Sequence, residues 1–254
     1  QDTARSATSG TGSRRKRNRY HPRVQGSEFN RWWRMAVPIV MPMIRFFFRV
    51  RVGGIDRIPA QGPVILMFNH VSVLDGPCLA GVIASRTRRE IRFLVASEVF
   101  AHPVWGRIMR AYDQIPVRRG TGDAAALDEA VETVRGGAVA ALAPEGRISD
   151  HAASGELQRI HSGVARIALP SGAPMLPVGI WGTHERWPRD DIIWSTLWHR
   201  PVLGISVGEP MYAHGDVAHP GDIDAVLADV RAALYRQLAR ARILAGDPAP
   251  AAGS

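Results

Sequence analysis

A histidine and an aspartate five positions apart follow directly after an apolar run in this 254-residue chain. The run, residues 63–68, predicts a short buried strand, and His70 and Asp75 lie in the segment that follows it. Histidine exchanges a proton near neutral pH, and a carboxylate on its second ring nitrogen fixes the tautomer. Because no Ser or Cys nucleophile accompanies the pair in a recognisable local motif, the pattern favours a base that activates a bound hydroxyl. Taken alone, the spacing is more often that of a solvated histidine in a capped loop.

Three further segments carry motifs of their own. They are Ala143-Pro144-Glu145-Gly146-Arg147-Ile148-Ser149 after an apolar run at 138–142, Ile115-Pro116-Val117-Arg118-Arg119-Gly120, and the proline-edged Ala173-Pro174-Met175-Leu176-Pro177-Val178-Gly179-Ile180. In this order and at these intervals, the four segments resemble the glycerolipid acyltransferase family. That family includes the lysophosphatidic acid acyltransferases, also called 1-acylglycerol-3-phosphate acyltransferases. Each motif alone has low specificity, but four in order are specific.

The resemblance extends from about residue 52 to residue 210 and is carried by two blocks above all. The family's N-H-x-S-x-x-D is matched by Asn69, His70, Ser72 and Asp75, and its P-E-G-(T/R)-x-S by Pro144, Glu145, Gly146, Arg147 and Ser149. Two positions depart from the family pattern. Arg118 stands where the second block usually has an acid, and Ser97 stands where a lysine is frequent. Both lie in the region expected to hold polar head groups.

The resemblance implies an O-acyltransferase that moves a fatty acyl group from acyl-CoA or acyl carrier protein to a lysophospholipid. The expected reaction converts lysophosphatidic acid into phosphatidic acid, with His70 as general base and Asp75 as its orienter. The expected substrate-binding residues are Asn69, Ser72, Arg119, Glu145, Gly146, Arg147 and Ser149. Arg119 and Arg147 are the candidates for the phosphate, because a guanidinium group binds phosphate through two parallel hydrogen bonds.

Two alternatives stay open. In the first, the acceptor is glycerol 3-phosphate, another lysophospholipid or a glycolipid. In the second, the protein only binds lipid at a membrane surface, although a binding module would not need a His/Asp base. We expect no metal and no cofactor besides the acyl-CoA or acyl carrier protein co-substrate, since no H-E-x-x-H and no paired Cys/His cluster is present. The P-loop and G-x-G-x-x-G motifs are also missing from the sequence.

The positive charge of the chain is concentrated near its beginning. The net charge is +9, of which residues 1–26 contribute +6 and residues 27–51 contribute +4, so the remainder is close to neutral. This distribution argues against a nucleic-acid-binding fold with a basic face and favours an appended arm with an anchoring segment.

A single cysteine, Cys78, excludes an internal disulfide framework.

Residues 27–52 are rich in tryptophan, phenylalanine, methionine and arginine. Their longest uncharged apolar stretch, 35–44, has ten residues, whereas spanning a bilayer needs about 20. Pro38 and Pro42 make one straight helix improbable, so we expect a broken amphipathic segment in the membrane interface. The alternative is a helix that packs on the domain's own core. Because acyl-CoA and acyl carrier protein are cytoplasmic, we expect a peripheral or monotopic protein on the cytoplasmic face of the cell membrane, in contact with membrane lipids.

Alternating apolar runs and helical patterns predict a single α/β domain, with a mixed, mainly parallel sheet flanked by helices and preceded by the interfacial helical segment. The expected organisation is a basic flexible tail at 1–26, the membrane-interface segment at 27–52, an acyltransferase domain at 53–244 and a flexible C-terminus at 245–254. Strands are expected at 63–68, 91–96, 138–143, 174–180 and 203–207, and helices at 75–85, 103–111, 122–135, 157–169 and 222–244.

Overall fold

The computed structural model describes residues 31–150, 152–188, 193 and 199–247. The expected basic tail, 1–26, lies outside these ranges, as does 248–254 of the expected flexible C-terminus. The helices are α1 Arg31–Phe47, α2 Asp75–Thr87, α3 Ser97–Ala101, α4 Trp105–Ala111, α5 Ala124–Arg135, α6 Gly163–Ser171 and α7 Pro220–Ala245. The strands are β1 Arg49–Gly53, β2 Val64–Phe68, β3 Ile91–Ala96, β4 Ile115–Val117, β5 Val139–Leu142, β6 Met175–Trp181 and β7 Val202–Val207.

The strands form one sheet in the order β1-β7-β6-β2-β5-β3-β4. Strands β6, β2, β5, β3 and β4 pair in parallel, whereas β7 runs antiparallel to β6 and is itself parallel to β1. Strand β2 therefore lies between β6 and β5 near the centre of the sheet. The prediction of a mixed, mainly parallel sheet flanked by helices is confirmed.

The central strands are apolar because both of their faces are covered. All residues of β2, β5 and β6 are buried, as in sheets with helices on both sides. Side chains alternate between two hydrophobic clusters. Ile65 and Met67 pack with α5, α6 and α7 on one face, whereas Leu66 and Phe68 pack with α1 and α2 on the other. Cys78 of α2 is buried in the second cluster.

Helix α1 differs from the broken segment expected from its prolines. It is one helix of 17 residues that contains both Pro38 and Pro42. Its buried face packs on α2, where a Cβ added at Gly81 would lie 2.7 Å from the Cδ1 of Ile44. This close packing supports the helix although each proline removes a backbone hydrogen bond donor. None of the helices in the described part of the chain is long and apolar enough to cross a membrane.

Strand β1 was not expected from the sequence. It pairs with β7 in the register Arg49 to Val202, so the expected boundary at residue 52/53 falls inside the sheet. Helix α6 was expected from residue 157 but begins at Gly163. The backbone of the preceding segment instead contacts the loop after β5, where Gln158 donates its N–H to Glu145.

Candidate active site

The parallel strands bring three loops together at one edge of the sheet. Because β6, β2 and β5 are neighbours that run in the same direction, their carboxyl ends lie side by side. Such edges are where open α/β sheets bind ligands. His70 follows β2, Glu145 follows β5 and Thr183 follows β6.

The predicted base and orienter are in direct contact. The Nδ1 of His70 lies 2.9 Å from the Oδ2 of Asp75. The Asp75 side chain is fully buried, whereas the His70 side chain is 24% exposed. This hydrogen bond occupies Nδ1 and leaves Nε2 as the nitrogen that can exchange a proton with a substrate. The structure therefore brings the pair together, and its catalytic role stays a prediction.

The Asp75 carboxylate is held from several directions. Its Oδ2 accepts backbone hydrogen bonds from Val71 at 2.7 Å and Ser72 at 2.8 Å. Its Oδ1 accepts a hydrogen bond from the Oγ1 of Thr183 at 2.6 Å. Asp75 is also the first residue of α2, where the helix dipole favours negative charge. These donors compensate a buried carboxylate that would otherwise lose its hydration.

Asn69 and Ser72, both expected to bind substrate, hold the loop in place. The Nδ2 of Asn69 donates to the Ile180 carbonyl at 2.9 Å, and its Oδ1 accepts from the Ile180 N–H at 2.8 Å. The Ser72 hydroxyl donates to the Trp187 carbonyl and accepts from the Leu74 N–H at 3.0 Å. These contacts support a role in shaping the loop, and substrate binding by the two residues stays a prediction.

Glu145 and Ser149 fix the backbone of His70 from both sides. The Oε1 of Glu145 accepts the His70 N–H at 2.9 Å, and its Oε2 accepts the Gln158 N–H at 2.8 Å. The N–H of Ser149 donates to the His70 carbonyl at 2.7 Å. Glu145 is only 2% exposed, and burial raises the pKa of its carboxyl while the two backbone hydrogen bonds oppose that rise. The loop after β5 therefore supports the loop that carries the base.

Gly146 turns that supporting loop with a backbone conformation that favours glycine. Its φ is 70°, in the left-handed region. A Cβ at this position would lie 3.3 Å from the Cδ2 of His161. The His161 N–H in turn donates to the Pro144 carbonyl at 2.9 Å. The positive φ would strain any other residue here, and a side chain would also press against the His161 ring.

The two arginines expected to bind phosphate occupy different places along the edge. Arg147 lies in the loop after β5, next to β2, where its Nε donates to Gln158 at 2.6 Å and its guanidinium pairs with Asp150 at 2.9 Å. Arg119 is exposed at the end of β4, three strands from β2, which corresponds to about 14 Å at the usual spacing between strands. Its neighbour Arg118 pairs with Asp123 at 3.2 Å.

Sequence reasoning missed Thr183 and gave His184 no role. The rings of His184 and Trp181 lie 4.4 Å apart. Within the described residues the His184 Nδ1 is buried without a hydrogen bond partner, and burial lowers the pKa of this imidazole. The available signal was position, because both residues follow a predicted strand parallel to the one before His70. Among the described side chains, no group of three His, Cys, Asp or Glu could hold a metal ion.

The sheet and the His/Asp pair define the class of protein, a mixed α/β domain with an oriented histidine at the carboxyl end of its central strand. Residues 49–181, slightly more than half of the chain, match the family model described as Acyltransferase, and the chain belongs to this family. The predicted family resemblance is confirmed.

Relatives with assigned names act on different lipids. The chain is 32% identical over 152 residues to a lyso-ornithine lipid O-acyltransferase of Pseudomonas aeruginosa, covering 59% of this chain and 52% of the relative. It is 27% identical over 169 residues to a chloroplastic 1-acyl-sn-glycerol-3-phosphate acyltransferase of Brassica napus, covering 62% and 46%. The chain spans about half the length of the curated relatives that it matches.

A solved structure shares the fold. The crystal structure of the 1-acyl-sn-glycerophosphate acyltransferase PlsC from Thermotoga maritima matches with a TM-score of 0.63 and 23% sequence identity. The match covers 82% of this chain and 80% of the other. A likeness at this identity establishes a common architecture.

Proposed function

We propose that the protein transfers a fatty acyl group from a thioester, acyl-CoA or acyl carrier protein, to the free hydroxyl of a lysophospholipid. The observation that carries the proposal is the contact between the His70 Nδ1 and the buried Asp75 Oδ2 at 2.9 Å. A lipid-binding protein without catalysis would have no use for an oriented base. Membership of the acyltransferase family gives independent support.

The chemistry follows from the geometry of this pair. The Nε2 of His70 accepts the proton of the acceptor hydroxyl as its oxygen attacks the thioester carbonyl carbon. Asp75 stabilises the imidazolium that forms and keeps the proton on Nδ1. When the tetrahedral intermediate collapses, the C–S bond breaks and the imidazolium returns its proton to the leaving thiolate. The products are an ester and a free thiol, and no acyl-enzyme is needed.

The favoured acceptor is lysophosphatidic acid, which would give phosphatidic acid. Arg147 in the loop after β5 and Arg119 after β4, farther along the same edge, are the guanidinium groups that we assign to its phosphate. The second candidate is a lyso-ornithine lipid, because the relative that bears this name is 32% identical. Its amino-acid head group has no phosphate, so the two acceptors place different demands on the arginines.

We also propose that the enzyme works at the surface of a membrane, on the cytoplasmic side, where its acyl donors are found. The face of α1 opposite to α2 exposes a stripe at helical spacing, formed by Trp32, Met35, Ile39, Met43 and Phe46. Ile39 is 67% exposed and Phe46 is 69% exposed. An apolar helix face flanked by arginine suits insertion into the headgroup region. We term these five residues the α1 stripe.

The test is an acyl transfer assay with defined lipids. The purified chain would be incubated with a radiolabelled acyl donor, acyl-CoA or acyl carrier protein, and with one acceptor at a time, the lipids in mixed micelles and glycerol 3-phosphate in the buffer. The acceptors are lysophosphatidic acid, a lyso-ornithine lipid and glycerol 3-phosphate, and His70→Ala is the control. We expect the highest kcat/KM with lysophosphatidic acid. Preference for another acceptor would overturn the head-group assignment, and lipid binding without transfer to any acceptor would overturn the enzymatic proposal.

A further inference from the structure

The two oxygens of the Asp75 carboxylate have separate sets of partners. Oδ2 faces the His70 ring and the N–H groups of its own loop. Oδ1 accepts a hydrogen bond at 2.6 Å from the hydroxyl of Thr183, a residue 108 positions away in the sequence. Both Asp75 and Thr183 are 0% exposed. The plane of the carboxylate is therefore set partly by a residue outside the motif that contains the dyad.

The backbone around Thr183 leaves it little freedom. Gly182 has a φ of 96°, and a Cβ at that position would lie 2.1 Å from the Val202 carbonyl oxygen, so the chain must turn here on a glycine. The next residues form a tight turn in which the Thr183 carbonyl accepts the N–H groups of Arg186 and Trp187. The backbone of Thr183 is thus held by the sheet before it and by the turn after it, and this fixes the position of its hydroxyl.

The same turn contacts the loop after β2, which carries His70, at a second point. The Trp187 carbonyl accepts the hydroxyl of Ser72, three residues before Asp75. Residues 183–187 therefore contact the loop at Ser72 and at Asp75. Arg186, between the two contacts, donates to the Phe47 carbonyl at the end of α1 at 3.2 Å.

We infer that Thr183 is a positioning residue of the active site, which orients the Asp75 carboxylate so that Oδ2 holds the His70 ring. The inference rests on the proposed function, in which that ring is the base. A neutral hydroxyl donor fixes the second oxygen without adding a positive charge that would compete with the imidazolium for the carboxylate. Thr183 itself does not touch the reacting atoms and acts through Asp75.

The consequence of removing the hydroxyl is specific. In Thr183→Val the shape is kept, but Oδ1 becomes a buried acceptor without its donor. The carboxylate gains freedom to rotate, and the His70 ring loses its fixed orientation. A hydrogen bond to a charged group contributes enough stabilising free energy that its loss should lower kcat by about 10- to 100-fold. Both KM values should stay within about twofold, because no substrate contact is lost.

The experiment compares three variants of the full chain. Thr183→Val removes the donor, Thr183→Ser restores it, and Thr133→Val removes a buried hydroxyl that accepts from Arg92 at the other side of the sheet. For each, kcat, both KM values, the pH–rate profile and the melting temperature would be measured. The proton resonance of the His70 Nδ1–H, assigned by NMR, reports on the His/Asp contact without requiring turnover.

We expect Thr183→Val to lower kcat, to move the acidic limb of the pH–rate profile and to shift or broaden the His70 resonance. Thr183→Ser and Thr133→Val should resemble the wild type in all three. An unchanged kcat and resonance in a folded Thr183→Val protein would overturn the inference, as would a failure of Thr183→Ser to restore them. If the wild type transfers no acyl group, the proposed function fails, and the resonance alone decides whether Thr183 orients the pair.

Discussion

The side chain of Glu145 accepts the backbone N–H of His70 at 2.9 Å. Its second oxygen accepts the N–H of Gln158 at 2.8 Å, so a buried carboxylate joins the loop after β2 to the segment before α6. Expected from the sequence to bind substrate, Glu145 has both oxygens engaged by the protein. Substrate binding by this residue stays a prediction, whereas the contacts themselves indicate that it places His70.

Glu145→Gln keeps the size of the side chain but should weaken its hydrogen bonds to the two backbone N–H groups. A glutamine offers one acceptor oxygen, and its amide would direct N–H groups at one of the two backbone N–H groups. We expect a loss of about 1–3 kcal/mol in the free energy of unfolding, together with a lower kcat. Chemical denaturation and initial rates measure the two effects. Glu132→Gln, which changes an exposed carboxylate paired with Arg135, is the matched control and should alter neither.

His70→Ala should lower kcat by about 10²- to 10⁴-fold, the usual contribution of general acid–base catalysis. Asp75→Asn should also be strongly impaired, since an amide cannot stabilise the imidazolium. His219→Ala serves as the control, because this side chain is 73% exposed and precedes α7. Steady-state rates with melting temperatures would separate catalysis from folding. Near-wild-type transfer by a folded His70→Ala protein would contradict the general-base mechanism.

Arg147→Ala and Arg119→Ala should raise the KM for the acceptor more than the KM for the acyl donor. Lysine at either position should restore binding only in part, because an ammonium group lacks the planar fork. Arg118→Ala is the matched control, because it removes an exposed arginine that is ion-paired like Arg147 and adjacent to Arg119 but is not proposed to bind the acceptor. Initial rates with each substrate varied in turn give the donor KM and the acceptor KM of every variant. Equal effects on donor and acceptor would indicate a structural role instead.

His184 should make the stability of the protein depend on pH. Burial lowers its pKa below the ordinary value of 6.5, so the unfolded chain binds a proton at a higher pH than the folded chain. The free energy of unfolding should therefore decrease as pH falls below that ordinary value. His184→Gln should reduce this dependence between pH 7.5 and 5, measured by chemical denaturation. His214→Gln, at an exposed position, should keep it, and an unchanged slope in His184→Gln would contradict the assignment.

The α1 stripe should control binding to membranes. Replacing Ile39 and Met43 together by serine removes two exposed apolar side chains from the side of α1 that does not pack on α2. We expect weaker binding to vesicles in sedimentation, with the melting temperature unchanged. Ile243→Ser, which changes a side chain 64% exposed on α7, is the control. If the Ile39/Met43 double variant binds vesicles like the wild type, the stripe is not the contact surface.

Salt should separate the two contributions to that binding. Anionic vesicles should bind the protein better than neutral ones, because arginine attracts anionic lipid. High salt should weaken this binding but not abolish it, since charge is screened whereas apolar insertion is not. Complete release at high salt would contradict insertion of the α1 stripe.

The sequence by itself predicted five of the seven described strands and the pair of residues that define the site. Apolar runs predicted β2, β3, β5, β6 and β7. All residues of β2, β5, β6 and β7 are buried, which explains why those four runs are so distinct. His70 and Asp75 were identifiable because their contact is local, five residues along one loop. A contact between residues so close in the sequence can be predicted from a short motif.

Only the tertiary structure decided what surrounds the pair. Thr183 reaches Asp75, and Glu145 reaches the His70 backbone, because β6 and β5 lie on either side of β2, an order that no local pattern encodes. The same holds for α1, whose two prolines predict a break, while its packing on α2 supports one continuous helix. Strand order and helix packing depend on burial shared between distant segments, so they appear only when the whole chain has folded.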